Sequence, residues 1–534
     1  MAVLERFEER KILVIDDLGG MRTQMQMTLT NCGFRKLHLV SSIQQALAKF
    51  AEEKYDIILC DYYLGEGTDG QQFLEYLRTR DLISRNTLFI MVTAEQSYEK
   101  VVTASECAPD DYLLKPFTAE RFIVRMEKLL DRQDRFKPVD KASDEKNWNK
   151  VIAECDRIIA AKDKYLIDAY KIKAATLLKT GRAQDALALY QGVLALRPIV
   201  WAKLGFARAS EALGKKDEAL KMVQELIEES PQFMAAYDYL GKLLTDKGQH
   251  HDALEALERA RAISPGTMKR VREVSALAAT VGKHELAEAV MSEALQKHKY
   301  SPVREANDYA TLSHALNKLG KSDKALEVIK DAKVSMRDDS SKAILAASEC
   351  LTHQTMGNPD KAQAALEEAL AAGQKGLSPD AATALANACF AAGKTDAAHD
   401  LLKHVVQNNP DNPHILDKVH KALAASGKNP DEAAAIIKAN VQEVIHLNNE
   451  GVKKAEAGQL KEAIDLLSNA ADRLPNNLQI VGNAALAYAI DLAKNGYDAE
   501  KAKRCLHYRQ LLISQAPSFP KLEQIDAMLK QLKR

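Results

Sequence analysis

A regular spacing of small residues runs through most of this 534-residue chain and restricts what it can fold into. Gly181, Gly214 and Gly248 lie 33 and 34 positions apart. Alanines and prolines keep the same step, at Ala186, Ala219, Ala253, Pro198, Pro231 and Pro265. Glycine turns one helix into the next, alanine lets the two helices approach closely, and proline closes the unit. The period therefore predicts a solenoid of helix pairs, which is stabilised by neighbour contacts and has a concave face free to bind.

The chain before about residue 130 has a different pattern, in which short apolar segments alternate with amphipathic stretches. The apolar segments are "KILVI", "LHLV", "DIILC", "LFIMVT" and "DYLLK". Five such alternations predict a doubly wound α/β domain, with a five-stranded parallel sheet and helices on both faces.

The two patterns divide the chain into regions. We expect the α/β domain over residues 1–132 and a linker, or an extended helix end, over 133–147. The all-α solenoid follows over 148–534, with about nine repeats and a closing C-terminal helix. The repeat pattern is weaker near residues 413–440 and 478–510, and "AGQLKEAIDLLSNAADRLP" at 457–475 restores it in full.

Polar residues follow the predicted strands of the first domain, at Asp16, Asp17, Asp61, Thr93 and Lys115. In parallel sheets, binding sites form just beyond the carboxyl ends of the strands. Carboxylates that meet there would repel one another, and Mg²⁺, which prefers oxygen ligands, relieves that repulsion. A lysine and a hydroxyl nearby can donate to a phosphoryl group. The set therefore predicts phosphoryl transfer to a carboxylate.

Four motifs, "ILVIDD", "IILCDYYL", "MVTA" and "YLLKPF", occur in this order over residues 11 to about 130. Their order and spacing resemble the flavodoxin-like receiver domain of bacterial two-component response regulators. Chemotaxis receivers are especially similar around "VIDDLGGMR". The later helix pairs resemble tetratricopeptide repeats, most clearly at "YDYLGKLLTDKGQHHDALEALERARAISP".

The receiver resemblance implies a role for each strand-end residue. Asp61 would accept a phosphoryl group from a sensor histidine kinase or a histidine phosphotransfer protein. The implied magnesium ligands are Asp16, Asp17 (the likelier direct ligand), Asp61 and the backbone carbonyl of Tyr63.

The same resemblance implies how the signal leaves the acceptor. Thr93 would hydrogen-bond the phosphoryl group, Lys115 would pair with it, and Tyr112 would rotate inward as the switch residue. The bond between Lys115 and Pro116 is expected to be cis. Chemistry of its own, beyond loading and slow loss of the phosphoryl group, is not expected.

The composition narrows the class of partner and the compartment. Lys and Arg number 74 and so do Asp and Glu, so a net charge of zero argues against nucleic acid as the main partner. Seven scattered cysteines without a CxxC pair predict reduced thiols in the cytoplasm. Without a signal-peptide pattern or a long apolar run, membrane insertion is not expected.

The first helix of each predicted pair should line the concave face of the solenoid. Counting back from the turn glycines places seven polar residues there, Lys171, Arg208, Lys242, Arg272, His314, Asn317 and Asn387. Each is as consistent with a solvated helix face as with a surface for an unidentified protein or peptide. The sequence assigns no oligomeric state.

Three functions are compatible with a receiver followed by repeats. In the leading one, phosphorylation of the receiver controls protein binding by the repeats. In the second, the repeats are a static scaffold and the receiver docks without switching. In the third, the receiver is a phosphate sink for a kinase shared with another regulator.

Two positions are unusual for the receiver family, Tyr63, two residues after the acceptor, and Glu95, two after Thr93. In the family these positions flank the path of the hydrolytic water. We predict that the bulky phenol of Tyr63 shields the acyl phosphate and prolongs its lifetime beyond that of chemotaxis receivers. Tyr63→Asn should then lose its phosphoryl group several-fold faster in a dephosphorylation time course. An unchanged rate would refute the prediction.

Overall fold

The computed structural model describes residues 7–65, 69–80, 82–84, 86–94, 109–162, 164–263, 267–299, 301–373, 377–516 and 519–531. Two compact units divide the chain, residues 1–304 and residues 305–534. Among the helices of these described ranges, none has both the length and the apolar character needed to cross a bilayer.

The first unit begins with the predicted parallel sheet, whose strand order is β2-β1-β3-β4-β5. The strands are β1 (Lys11–Ile15), β2 (Lys36–Val40), β3 (Ile57–Asp61), β4 (Leu88–Thr93) and β5 (Asp111–Leu114). The described helices of this region are α1 (Gly19–Asn31), α2 (Ile43–Glu52), α3 (Gly70–Thr79) and α4 (Ala119–Asp144). The doubly wound α/β fold is thereby confirmed.

Both faces of the sheet are covered, because successive side chains of a strand point in opposite directions. On one face Ile57 and Leu59 of β3 join the core that includes Phe122 and Met126 of α4. On the other face Ile58 and Cys60 join the core that includes Phe73, Leu74 and Leu77 of α3. Strands buried on both faces must be apolar throughout, as "IILC" is.

The predicted linker over residues 133–147 is helical for most of its length, because residues 133–144 belong to α4. Phe136, Val139 and Ala142 are buried in a core with residues of the next helix, α5 (Trp148–Ala160). Pro138 lies inside α4, where it removes a helix hydrogen bond. Burial of its neighbours explains why the helix continues past it, so the alternative of an extended helix end is the one observed.

After α5 the first unit continues as helices of similar length. They are α6 (Leu166–Lys179), α7 (Ala183–Leu196), α8 (Val200–Ala212), α9 (Lys216–Glu229), α10 (Met234–Asp246), α11 (His250–Ile263), α12 (Met268–Thr280) and α13 (His284–Lys297). Gly181, Gly214 and Gly248 separate the members of three pairs at φ of +73°, +83° and +75°. Only glycine adopts this conformation without strain. Pro265 lies outside the described residues.

The second unit is helical throughout its described residues. Its helices are α14 (Ala306–Lys318), α15 (Ser322–Ser335), α16 (Asp339–Thr355), α17 (Pro359–Ala372), α18 (Pro379–Ala391), α19 (Thr395–Asn408), α20 (Pro413–Ala425), α21 (Pro430–Glu456), α22 (Leu460–Arg473), α23 (Leu478–Asn495), α24 (Ala499–Gln515) and α25 (Leu522–Gln531). A solenoid of helix pairs after an α/β domain is therefore the architecture, as expected.

Small residues allow close packing within the pairs. Ala186, Ala219 and Ala253 are fully buried. A Cβ on Gly241 of α10 would lie 2.7 Å from Cγ of Leu257 on α11. Real side chains do not approach so closely, so a larger residue there would push the two helices apart.

Helix α21 explains the weak repeat pattern near residues 413–440. It starts at Pro430 with a capping box between Asn429 and Glu432, and it runs for 27 residues without a break. No second proline interrupts it, so one helix crosses the position where two repeat helices would otherwise meet.

A buried histidine follows α13. His298 is 2% exposed, with Lys297, Arg272 and Arg304 near enough to disfavour another positive charge. Burial, followed by these three cations, lowers the pKa of His298 from 6.5 to about 4. The folded chain therefore keeps His298 neutral at pH values where the unfolded chain protonates it.

We predict that this histidine makes the first unit sensitive to acid. Above pH 6.5 His298 is neutral in both the folded and the unfolded chain, so the free energy of unfolding does not depend on its titration. As the pH falls from 6.5 toward 4, the unfolded chain binds a proton that the folded chain does not, and the free energy of unfolding falls by about 3 kcal/mol. Both tryptophans, Trp148 and Trp201, lie in this unit. Denaturant titrations followed by tryptophan fluorescence at several pH values therefore measure it.

His298→Asn should flatten this pH dependence, because the replacement does not titrate. His251→Asn is the matched control, since His251 lies exposed on the same unit. Equal pH profiles for His298→Asn and wild type would show that the prediction is wrong.

Candidate functional site

The candidate site lies at the carboxyl ends of β1, β3 and β4. All five residues of β3 are buried, and Asp61 at its end is 8% exposed. The parallel register sets Ile15 of β1 opposite Cys60, and Val92 of β4 opposite Asp61. Asp16, the next residue after β1, therefore comes beside Asp61, as the strand-end pattern predicts.

Three carboxylates meet at this edge. One oxygen from each of Asp16, Asp17 and Asp61 lies within 4.8 Å of the other two. Asp16 is fully buried and its Oδ1 accepts the backbone N–H of Leu18 at 2.9 Å, whereas Asp17 is exposed. Oxygen ligands at this spacing fit a hard divalent cation such as Mg²⁺. The exposed carboxylate of Asp17 can meet such an ion from solvent.

Lys115 compensates two of these three carboxylates. Its Nζ donates to Asp16 Oδ2 at 2.7 Å and to Asp61 Oδ2 at 2.8 Å. Burial lowers the pKa of Lys115, but the two hydrogen bonds outweigh burial, so its pKa is raised overall. Burial raises the pKa of Asp61 in spite of Lys115. One cation among three carboxylates leaves the site negatively charged and receptive to another cation.

The backbone of Lys115 is hydrogen-bonded to the end of β4. Its N–H donates to the carbonyl of Thr93 at 2.8 Å, and its bond to Pro116 is cis, as expected. Thr93 is buried at the end of β4, in register with Leu114. The sequence-predicted residues Asp16, Asp17, Asp61, Thr93 and Lys115 are thus brought to one edge of the sheet.

Tyr112 on β5 is half-buried and packs against the core formed with α3. Arg125 of α4 ties this strand to the helix, because its Nη1 donates to the carbonyl of Tyr112 at 2.8 Å. The same nitrogen contacts both carboxylate oxygens of Asp111, at 2.6 and 2.7 Å. Sequence analysis missed Arg125, whose only signal is a basic residue on the second turn of a helix.

Gly70 is a second residue that sequence analysis missed. A Cβ there would lie 2.4 Å from the backbone carbonyl oxygen of Asp61 and 2.8 Å from Sδ of Met91. Asp69 caps α3 by accepting the N–H of Gln72 at 2.7 Å. The backbone of α3 therefore lies directly against Asp61, which only glycine permits.

Arg22 of α1 hydrogen-bonds the backbone of the two neighbouring aspartates, Asp16 and Asp17. Its Nη1 donates to the carbonyls of Asp16 and Asp17, at 2.6 and 2.9 Å.

Tyr63 is 48% exposed, and its ring packs edge-on to that of Tyr62, with centroids 5.1 Å apart. Glu95 lies outside the described residues. The shielding role of Tyr63 stays a prediction.

Three of the predicted concave-face residues contact other residues of the first unit. The Nζ of Lys171 lies 5.6 Å from the ring centre of Trp201, and Arg208 lies 5.2 Å from that of Tyr239. Lys242 donates to Glu211 at 2.8 Å. These contacts join neighbouring pairs, so they stabilise the solenoid whether or not a ligand binds.

The other four concave-face residues have varied surroundings. Arg272 donates to the carbonyl of Val303 at 2.7 Å, and Asn317 donates to Oγ1 of Thr352 at 2.9 Å. His314 is exposed on α14, and Asn387 is half-buried on α18. The seven residues lie on six different helices and stay predictions as ligand contacts.

Comparison with protein families identifies both regions. Residues 12–127 match the response regulator receiver domain. Residues 204–266 and 354–425 each match the tetratricopeptide repeat.

Solved structures that the chain resembles include the receiver domain of the Francisella response regulator 1452. The two chains are 27% identical over 23% of this chain and 98% of that one, with a TM-score of 0.21. Another is MamA, with 19% identity over 32% of this chain and 95% of that one at a TM-score of 0.28.

Curated relatives resemble the receiver region. The chain is 32% identical over 129 residues to the transcriptional regulatory protein ResD of Bacillus subtilis (strain 168). The matched segment covers 24% of this chain and 51% of ResD. It is 26% identical over 122 residues to the chemotaxis protein CheY-3 of Vibrio cholerae serotype O1, over 23% of this chain and 92% of CheY-3. The chain spans about half the length of ResD. The chain therefore has a response regulator receiver domain at its N-terminus, and the helix pairs after it include tetratricopeptide repeats.

Proposed function

We propose that this protein is a two-component response regulator phosphorylated on Asp61 by a sensor histidine kinase or a histidine phosphotransfer protein. Its tetratricopeptide repeats give the output by binding a protein or peptide rather than DNA. The observation that supports this most is the position of Lys115, which contacts Asp16 and Asp61 while Asp17 remains exposed. A paired cation beside a buried acceptor suits phosphoryl transfer to a carboxylate.

Mg²⁺ would be held by Asp16, Asp17, Asp61 and the backbone carbonyl of Tyr63, and when bound it supplies positive charge for the transferring oxygens. A carboxylate oxygen of Asp61 forms the new bond to phosphorus. The P–N bond of the donor phosphohistidine breaks, and the imidazole leaves. Lys115, already 2.8 Å from Asp61, pairs with the added charge, and Thr93 donates to it.

The added phosphoryl group carries nearly two negative charges, so Lys115 must divide its contacts differently among its partners. Lys115 follows β5 directly, and Arg125 ties the backbone of β5 at Tyr112 to α4. A shift of Thr93 and Tyr112 at the site therefore acts on α4 through a charged hydrogen bond.

Helix α4 carries that change into the first repeats. Its second half is fixed to α6 by Arg132 Nε, which donates to Asp168 at 2.9 Å. Tyr165, just before α6, donates to Asp131 at 3.0 Å, and its ring lies 6.1 Å from that of Phe136. The receiver and the first repeats thus share a helix, which supports switching over passive docking.

We further infer a cytoplasmic protein with no enzymatic activity beyond its own loading and slow loss of the phosphoryl group. The static scaffold and the phosphate sink are the alternatives to the switch. They differ from it in whether the state of Asp61 alters binding by the repeats.

The proposed switch predicts that partner binding depends on the state of Asp61. Wild type treated with beryllofluoride, which mimics the phosphoryl group, should differ at least several-fold in partner affinity from untreated wild type and from Asp61→Ala. The reason is that only the loaded site offers Lys115 and Thr93 a phosphoryl-like group, which neither untreated wild type nor Asp61→Ala can offer. The measurement is affinity capture from a lysate, followed by titration of the captured partner.

The repeat region alone, residues 148–534, is not used because α4 and α5 share one core. Asp168→Ala, which removes the contact with Arg132, should bind the partner but respond less to beryllofluoride. Equal affinities in all states of the full chain would reject the switch and favour the scaffold.

A separate prediction concerns the rate at which Asp61 is phosphorylated and its dependence on Gly70. Phosphoramidate with Mg²⁺ should phosphorylate wild type and leave Asp61→Asn unmodified, as measured by intact mass. Gly70→Ala should react roughly tenfold to a hundredfold more slowly, because a Cβ would displace the acceptor by a good fraction of an ångström. Gly20→Ala is the matched control, since a Cβ there meets nothing within 4 Å. Equal rates for Gly70→Ala and Gly20→Ala would contradict the close contact.

A further inference from the structure

Arg22, the fourth residue of α1, reaches back to the loop between β1 and α1. Its Nη1 donates to the backbone carbonyl of Asp16 at 2.6 Å and to that of Asp17 at 2.9 Å. Among the described residues, no other side chain or backbone N–H donates to either carbonyl. One guanidinium group therefore fixes the two peptide groups that flank the Cα atom of Asp17.

The carboxylate of Asp17 is oriented only through its backbone. Asp16 differs, because its carboxylate oxygens accept from the N–H of Leu18 at 2.9 Å and from Lys115 at 2.7 Å. Within the described ranges, the carboxylate of Asp17 makes no hydrogen bond or ion pair. A Cβ built on Gly65 would lie 3.6 Å from Oδ2 of Asp17, so this carboxylate faces the loop after β3. Its direction depends on the peptide groups that Arg22 holds.

Arg22 is suited to hold these peptide groups because it lies on a fixed support. Met25 and Leu29, on the same helix, are buried in the core beneath the sheet. A guanidinium group is planar and carries its N–H donors in fixed directions, and its charge strengthens each hydrogen bond. A rigid donor on a packed helix thus sets the geometry of the loop that carries both aspartates.

The charge of Arg22 and its hydrogen bonds act on the acidic site in opposite directions. A positive charge near the three carboxylates disfavours a bound cation, since like charges repel. Hydrogen bonds that orient a metal ligand favour the cation, and their removal typically costs about tenfold or more in metal affinity. The sign of the change in cation affinity after substitution therefore shows which of the two effects dominates.

We propose that Arg22 is a positioning residue, which directs the carboxylate of Asp17 toward Mg²⁺ by fixing the peptide groups on both sides of it. This inference deepens the proposed function and rests on it, because Mg²⁺ is the ion that phosphoryl transfer to Asp61 would use. Arg22 acts through the backbone, whereas Lys115 contacts the carboxylates themselves.

The test titrates the full chain with Mn²⁺, which takes oxygen ligands in the same octahedral geometry as Mg²⁺. The electron paramagnetic resonance signal of free Mn²⁺ reports binding without any phosphorylation. We expect Arg22→Met to raise the Kd about tenfold. Arg22→Lys should raise it less, because lysine keeps the charge and a donor on a shorter side chain. The matched control is Arg35→Met, an exposed arginine at the opposite edge of the sheet, which should stay within about twofold of wild type.

Asp17→Asn separates this inference from the proposed function. It should weaken Mn²⁺ binding at least about tenfold, since it removes the ligand that Arg22 orients. If Asp17→Asn binds weakly while Arg22→Met binds as tightly as wild type or more tightly, the role of Arg22 is overturned and the cation site stands. Equal Mn²⁺ binding by wild type and Asp17→Asn would overturn both.

The rate of phosphorylation by phosphoramidate gives an independent measurement. Arg22→Met should need several-fold more Mg²⁺ to reach half of its maximal rate, and that maximal rate should stay within about twofold of wild type. A lower maximal rate with an unchanged Mg²⁺ requirement would contradict the inference, because Arg22 would then act on Asp61 or on folding. Thermal melts show where each variant is folded, and Arg22→Gln, which keeps a neutral N–H donor, replaces Arg22→Met where the latter is unfolded.

Discussion

The architecture of the first unit depends on one helix that is buried at both ends. The first half of α4 completes the core under the sheet, where Phe122, Met126 and Leu130 are buried. Its second half completes the core of the first repeats through Phe136 and Val139. Because each half is apolar toward a different core, neither region can lose the helix without exposing its own interior. The receiver and the first repeats are therefore joined by one continuous helix that is packed into both cores.

At the carboxyl edge of the sheet, the candidate site has more negative than positive charge. Lys115 compensates Asp16 and Asp61, and the third carboxylate, Asp17, remains in contact with solvent. The remaining negative charge at this edge of the sheet favours the binding of a cation, or of a group that is bound together with a cation.

Sequence reasoning predicted the sheet, the repeats and the strand-end residues because each follows from a local pattern. Asp61 ends an apolar strand, Lys115 directly follows another, and parallel strands end at a common edge. Gly70 and Arg125 could not be predicted in the same way, since their importance depends on contacts with Asp61 and Tyr112, which come from other segments. The linker prediction gave too much weight to a proline and polar residues. Burial against a following helix, which decided the outcome, is not visible in the segment itself.

The continuity of α4 also has a consequence for how this protein can change in evolution. A helix advances about 100° per residue, since it has about 3.6 residues per turn. Insertion of one residue between Leu130 and Phe136 would therefore rotate the side chains beyond it by that angle and turn Phe136 away from its core. A loop at this position would tolerate changes of length, whereas α4 should tolerate substitutions far better than insertions or deletions. The phase of one helix, rather than its sequence alone, thus preserves the connection between the two regions.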